Sequence, residues 1–93
     1  MKLLSLAILA TFASTAYADQ TYICTYGEQE RVISLVYTDQ DNSVPCEVRY
    51  KKEGEAQTLW RSESEAGYCE SKTEEFVQKQ KGWGWSCDLA AEE

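Results

Sequence analysis

The sequence predicts an α+β fold: a four-stranded antiparallel meander with one C-terminal helix packed on it, a short final strand and two disulfides. Three observations lead there. Apolar residues alternate with polar ones through residues 22–61, the spacing changes to a helical one over 67–81, and four cysteines sit in a chain too short to rely on its apolar core alone.

Each element has its own signal. Tyr22, Cys24 and Tyr26 fall on one side of an extended segment that stops at Gly27. Ile33, Leu35 and Tyr37 repeat the pattern, with Val32 and Val36 making the opposite side partly apolar as well. The polar run Asp39-Gln40-Asp41-Asn42-Ser43 reads as a loop. Pro45 suits a strand start, after which Cys46, Val48 and Tyr50 alternate with Glu47, Arg49 and Lys51. Gly54 between Glu53 and Glu55 marks a hairpin turn into Ala56–Arg61, which holds Leu59 and Trp60.

From Gly67 to Lys81, Cys69, Thr73, Phe76 and Val77 are spaced for one face of a helix. Ser64 is the expected N-cap. Glu70, Glu74 and Glu75 near the start, and Lys79 and Lys81 near the end, match the helix dipole, and Gly82 is the expected C-terminal cap. Trp83 to Asp88 then reads as the final strand.

Four cysteines allow three pairings, which spacing alone does not separate. The meander does. Folding at Gly54 brings Cys46 opposite the end of the Trp60 strand, and Cys69 follows that end within a few residues. Joining Cys24 to Cys46 would cross the intervening strand, a span of about 10 Å that no disulfide covers. The expected bridges are therefore Cys46–Cys69 and Cys24–Cys87.

Residues 1–18 read as a cleavable signal peptide: Lys2, the apolar stretch Leu3–Ala13, and small residues at Ala16 and Ala18 for cleavage before Asp19. The apolar stretch is too short to span a bilayer comfortably, so no membrane span is expected after cleavage. Residues 19–93 form one small domain of 75 residues, with sixteen acidic side chains against eight basic ones and a net charge of −8. That balance opposes binding to nucleic-acid phosphates and suits solubility or a cationic partner. All four cysteines lie in this exported part, where an even count predicts disulfides.

Catalytic signals are sparse. Histidine is absent, which removes the commonest general base and metal ligand. No C-x-x-C pair supports zinc or thiol exchange, and no serine lies in a Gly-x-Ser-x-Gly turn. Glu53 with Glu55, and Glu63 with Glu65, read as solvated turn residues. The Asp39–Ser43 run departs from a calcium loop, with Val44 where glycine belongs and Tyr50 in place of the closing glutamate. Neither an enzyme nor a cofactor is expected. Trp60, Trp83 and Trp85 are many tryptophans for such a domain. They fit either the packing between helix and sheet or a patch that stacks on a sugar or grips a protein. In Gly82-Trp83-Gly84-Trp85 the glycines leave room for another backbone or ring to come close.

With these residues placed, the chain resembles a group of short, uncharacterised exported proteins of Gram-negative bacteria. The resemblance lies in Pro45-Cys46-Glu47-Val48-Arg49-Tyr50, Leu59-Trp60, Gly67-Tyr68-Cys69-Glu70 and Gly82-Trp83-Gly84-Trp85-Ser86-Cys87. It implies a periplasmic or secreted location and a common fold, but no activity. A weaker resemblance is to inhibitors of C-type lysozyme, through Tyr22-Ile23-Cys24-Thr25-Tyr26-Gly27, a late cysteine bridged to the first, and Ser64-Glu65-Ala66-Gly67-Tyr68. The chain departs from those inhibitors in having a helix where they have barrel strands, and in lacking their Lys-Gly loop. The expected function is binding a protein or glycan of the cell envelope, with inhibition of a lysozyme-like or other hydrolase as the alternative.

Overall fold

The computed structural model describes residues 17–39 and 42–90. Of the predicted leader, residues 1–16 lie outside that range, while Tyr17 and Ala18 already pair with Tyr37 and Val36 as the start of β1. Residues 40 and 41 of the predicted loop also lie outside it.

Among the described residues, five strands and a helix follow in the order β1 (Tyr17–Tyr26), β2 (Gln29–Tyr37), β3 (Cys46–Lys52), β4 (Glu55–Ser62), α1 (Tyr68–Gly82) and β5 (Ser86–Leu89). The sheet is antiparallel with strand order β4-β3-β2-β1-β5. The meander is thus as the alternation predicts, and β5 returns past the helix to the far edge beside β1. The β3–β4 turn explains its own tightness. Lys52 faces Glu55 across two residues, Glu53 at φ 55 and Gly54 at φ 86, the left-handed pair that matches strand twist in a two-residue hairpin.

The helix covers one face of the sheet. Beneath it lie Cys24 from β1, Ile33 and Leu35 from β2, Cys46 and Val48 from β3 and Cys87 from β5, meeting Cys69 and Val77 from α1. Half of these eight side chains are cysteines, joined as Cys24–Cys87 and Cys46–Cys69. Both bridges are those the strand order demands. Cys24 and Cys87 are direct partners on adjacent strands, with Cα atoms 4.0 Å apart, and Cys46–Cys69 pins the start of the helix to β3.

Both helix ends differ from expectation. Ser64 does not cap the helix; the N-cap is Gly67, at φ 88 and without a side-chain hydrogen bond. The Ser62 hydroxyl accepts the Glu65 N–H at 2.9 Å, bending the chain before Ser64 and delaying the helix start. At the other end Gly82 is still helical, and Trp83 takes the C-cap. A cap turn at Trp83 and Gly84 therefore occupies the first positions of the predicted strand, and β5 begins only at Ser86.

The opposite face of the sheet carries an ionic cluster at β3 and β4. Glu47, with a side chain 15% exposed, accepts from Arg49 Nε at 2.8 Å and Thr58 Oγ1 at 3.3 Å, and lies 3.9 Å from Arg61 Nε. The Arg49 hydrogen bond holds its carboxyl below the ordinary 4.5, helped by the charges of Arg49 and Arg61 and by the Thr58 hydroxyl, and opposed by partial burial. A carboxylate lowered on folding stabilises the fold fully above its unfolded value and loses that contribution as pH falls through the folded one. Stability should therefore drop as pH falls below about 4.5, and the drop should be shallower in Glu47→Gln. Because both arginines are more than a third exposed, solvent screening limits the difference to about 0.5–1 kcal/mol. Thermal melts of both proteins between pH 7 and pH 3 measure it.

Candidate functional site

The end of the helix builds the site. Gly84 stands one residue beyond the C-cap at φ 102, a left-handed conformation that glycine adopts without strain. Its N–H donates to Lys81 O at 3.0 Å, and the Trp85 N–H donates to Gln80 O at 3.1 Å. These two bonds are those of a Schellman cap, so Gly84, not Gly82, is the residue that ends the helix. The cap reverses the chain sharply between two tryptophans. Trp83 is left 60% exposed, while Trp85 turns back onto the sheet.

Trp85 meets two residues that the sequence did not single out for function. Its ring lies 5.4 Å from that of Tyr26, centroid to centroid, tilted by 35°. The Arg31 guanidinium carbon sits 4.9 Å from the Trp85 centroid. Arg31 is only 7% exposed, an unusual state for an arginine, and its side chain donates to Glu30 O and Gln29 Oε1, both at 3.2 Å. Stacking on the ring and hydrogen bonding to neutral oxygens replace much of the lost water. The Tyr26 ring in turn lies against Gly84: a Cβ there would stand 3.3 Å from Tyr26 Cε1. Close approach at the glycine is the role expected for this motif. Tyr26 nevertheless remains 52% exposed.

The result is a corner at the hairpin end of the sheet, where Trp85 is packed between Tyr26 and Arg31 and where Tyr26 and Trp83 stay open to solvent. Arg31 also lines a cleft of about 390 Å³ between the two hairpin turns, with Glu28, Gln29, Lys51 and Glu53 among its walls. Gly84→Ala should disturb this corner twice, through backbone strain at positive φ and through a tight contact that makes the Tyr26 ring give way by a few tenths of an ångström. We expect a loss of about 1–2 kcal/mol and altered tryptophan emission, read by chemical denaturation.

Trp60 belongs elsewhere. It packs at the edge of the buried cluster, edge-on to Phe76 with centroids 5.7 Å apart, and Phe76 meets Tyr50 in the same way at 5.0 Å. Lys72 covers its outer side, 5.5 Å from the Trp60 centroid. The three tryptophans thus divide: Trp60 serves helix–sheet packing, Trp85 supports the corner, and Trp83 faces solvent.

The other residues weighed from sequence are not gathered with them. Glu53 and Glu55 close a hairpin, and Glu63 pairs with Arg61 at 2.8 Å. Tyr26 was legible as the last ring before Gly27, but its tie to Gly84 joins residues far apart in the chain. Arg31 gave no signal, since nothing local distinguishes a covered arginine from a solvated one.

Among the described residues no group of three His, Cys, Asp or Glu side chains could hold a metal ion, and no helix is long and apolar enough to cross a membrane. No protein family, curated protein or solved structure matches this chain.

Proposed function

We propose that this chain is an exported, non-enzymatic binding module of the bacterial cell envelope, and that it grips its partner with the corner formed by Tyr26, Trp83 and Trp85. The leader-like N-terminus and the two disulfides support export to an oxidising compartment. The observation that carries the binding reading is Trp83, held 60% exposed on a helix cap with the half-exposed Tyr26 ring packed on the next residue. Large aromatic rings have few torsions to fix when a partner covers them, the property that makes tryptophan and tyrosine frequent anchors.

Trp83→Ala combined with Tyr26→Phe tests this with little structural cost, because Trp83 is mostly exposed and the phenylalanine ring still packs on Gly84. The double variant should keep its stability within about 1 kcal/mol and bind a washed envelope fraction at least tenfold more weakly in co-sedimentation. Equal binding by both proteins, or none by the wild type, would refute the reading. Intact mass of protein recovered from its native compartment checks export, with the expected product beginning at Asp19 and carrying no alkylatable thiol.

A second reading, inhibition of a lysozyme-like hydrolase, draws support from the acidity of the exported domain, which suits a cationic enzyme. A turbidity assay with micromolar protein separates it from the first: undiminished lysis would remove inhibition and leave envelope binding untouched.

A further inference from the structure

We infer that the outer edge of β4 takes an extended, basic peptide segment of a partner protein. The segment adds to the sheet as a further strand along residues 55–58 and sets a lysine or arginine side chain in the cleft beside them. This surface is separate from the aromatic corner and goes beyond the binding-module reading.

The edge is open. Among the described residues β4 ends the strand order and pairs with β3 alone, so every second residue turns its N–H and C=O away from the sheet. Proteins blunt such edges by keeping them short or by placing lysine or proline on them. The opposite edge is short, since β5 has four residues. β4 has eight, none of them lysine or proline, and residues 55–58 are all exposed. Beyond them the ladder breaks: Arg49 faces Thr58 and Val48 faces Trp60, which leaves Leu59 as a bulge. The bulge confines regular pairing to residues 55–58 and protects the rest of the edge from open-ended association.

A cleft adjoins the same run. Glu55, Ala56 and Gln57 line it together with Tyr50, Lys52 and Glu53, and its volume is about 540 Å³. Side chains of an added strand alternate between its two faces, so one set is delivered to the cleft. Tyr50 is a fixed wall: its ring meets Phe76 edge-on at 5.0 Å, and its hydroxyl accepts from Gln80 Nε2 at 3.3 Å. Glu53 and Glu55 make no ion pair among the described residues, although Lys52 faces Glu55 across the hairpin. A long cationic side chain complements both features, with an apolar stem for the tyrosine and a charge for the carboxylates.

Charge chooses the occupant. A second copy of this chain could offer the same backbone groups, but it would bring its own Glu53 and Glu55 to the same few residues. Two exported domains of net charge −8 also repel each other. A basic segment is attracted by the charge that keeps copies apart.

A fluorescein-labelled peptide of three lysine–threonine repeats tests the inference against the oxidised domain, by fluorescence anisotropy at low ionic strength. It should bind with a Kd below about 1 mM, and at least tenfold more weakly when Glu53→Gln and Glu55→Gln are combined. Two further peptides, N-methylated at the lysines or at the threonines, keep the charges and lose alternate backbone donors. At least one of them should bind at least tenfold more weakly. Circular dichroism checks that the glutamine variant is folded. Absence of binding, binding that the glutamines leave intact, or equal binding of both methylated peptides would overturn the inference. So would a domain that sediments as a dimer and does not take the peptide, which assigns the edge to a second copy. The corner is tested separately, because Trp83→Ala with Tyr26→Phe leaves β4 unchanged and should leave peptide binding unchanged. A loss in that variant alone would place the peptide on the corner and overturn the assignment to β4.

Discussion

Replacing Cys24 and Cys87 together by alanine is expected to cost about 4 kcal/mol of stability, by the loop-closure entropy of a 63-residue cross-link. For a single domain of this size that is a large share of the roughly 5–15 kcal/mol available. The loss should not be spread evenly. β5 has four residues and, among the described residues, pairs with β1 alone, so the bridge between its Cys87 and the facing Cys24 is the covalent tie that holds it to the sheet. Once β5 detaches, Trp85 loses its place against Tyr26 and Arg31, and the corner should come apart before the meander does. Cys46–Cys69 closes a shorter loop of 23 residues, and its removal should cost about 3.4 kcal/mol. Full reduction removes both bridges and should leave the chain largely unfolded at 37 °C. Urea denaturation of oxidised, singly bridged and reduced protein measures this series, with tryptophan emission reporting on the corner and far-ultraviolet circular dichroism on the sheet. A reduced protein that melts within a few degrees of the oxidised one would mean that the apolar packing suffices without the bridges.

Leu35→Ala should have the next largest effect, about 2–5 kcal/mol. Leu35 is fully buried at the middle of β2, with Gln20 and Val48 as its cross-strand neighbours and the helix above. Removing three carbons there opens a cavity that neighbouring strands, fixed by their ladders, have little freedom to fill. The cysteines around it are held by their bridges and cannot shift inward either. Val32→Ala, on the opposite and half-covered side of the same strand, should cost about 1 kcal/mol or less. The contrast isolates the covered face. Comparable losses at the two positions would mean that the second face of the sheet is buried as well, against what the placement of the helix implies.

Much of this fold is written in short-range pattern. The alternation through Ile33, Leu35 and Tyr37, and through Cys46, Val48 and Tyr50, marks strands because side chains on an extended chain change sides at every residue. Cys69, Thr73 and Val77 mark the buried stripe of the helix for the corresponding reason, and all three are buried in the structure. Even the disulfides follow, since a meander leaves Cys24 too far from Cys46. Helix ends were less legible. Ser64 is a good capping residue, but Ser62 captures a nearby backbone N–H first, and that competition depends on how the whole turn bends. Gly82 and Gly84 are equally good glycines on paper. The one that ends the helix is the one whose left-handed backbone lets Trp85 reach back toward the sheet.

Strand identity, helix identity and sulfur pairing are thus properties that neighbouring residues and chain connectivity specify, because they depend on periodicity and on the spans a backbone can cover. Exposure is different. Whether a tryptophan is covered depends on which element passes over it, and no local pattern carries that information: Trp60 has Phe76 against it, Trp85 has Arg31 and Tyr26, and Trp83 stays exposed at the cap. The return of β5 to the edge of β1 brings Tyr26 and Arg31 to residues more than fifty positions away in the chain, and that tertiary step makes the corner.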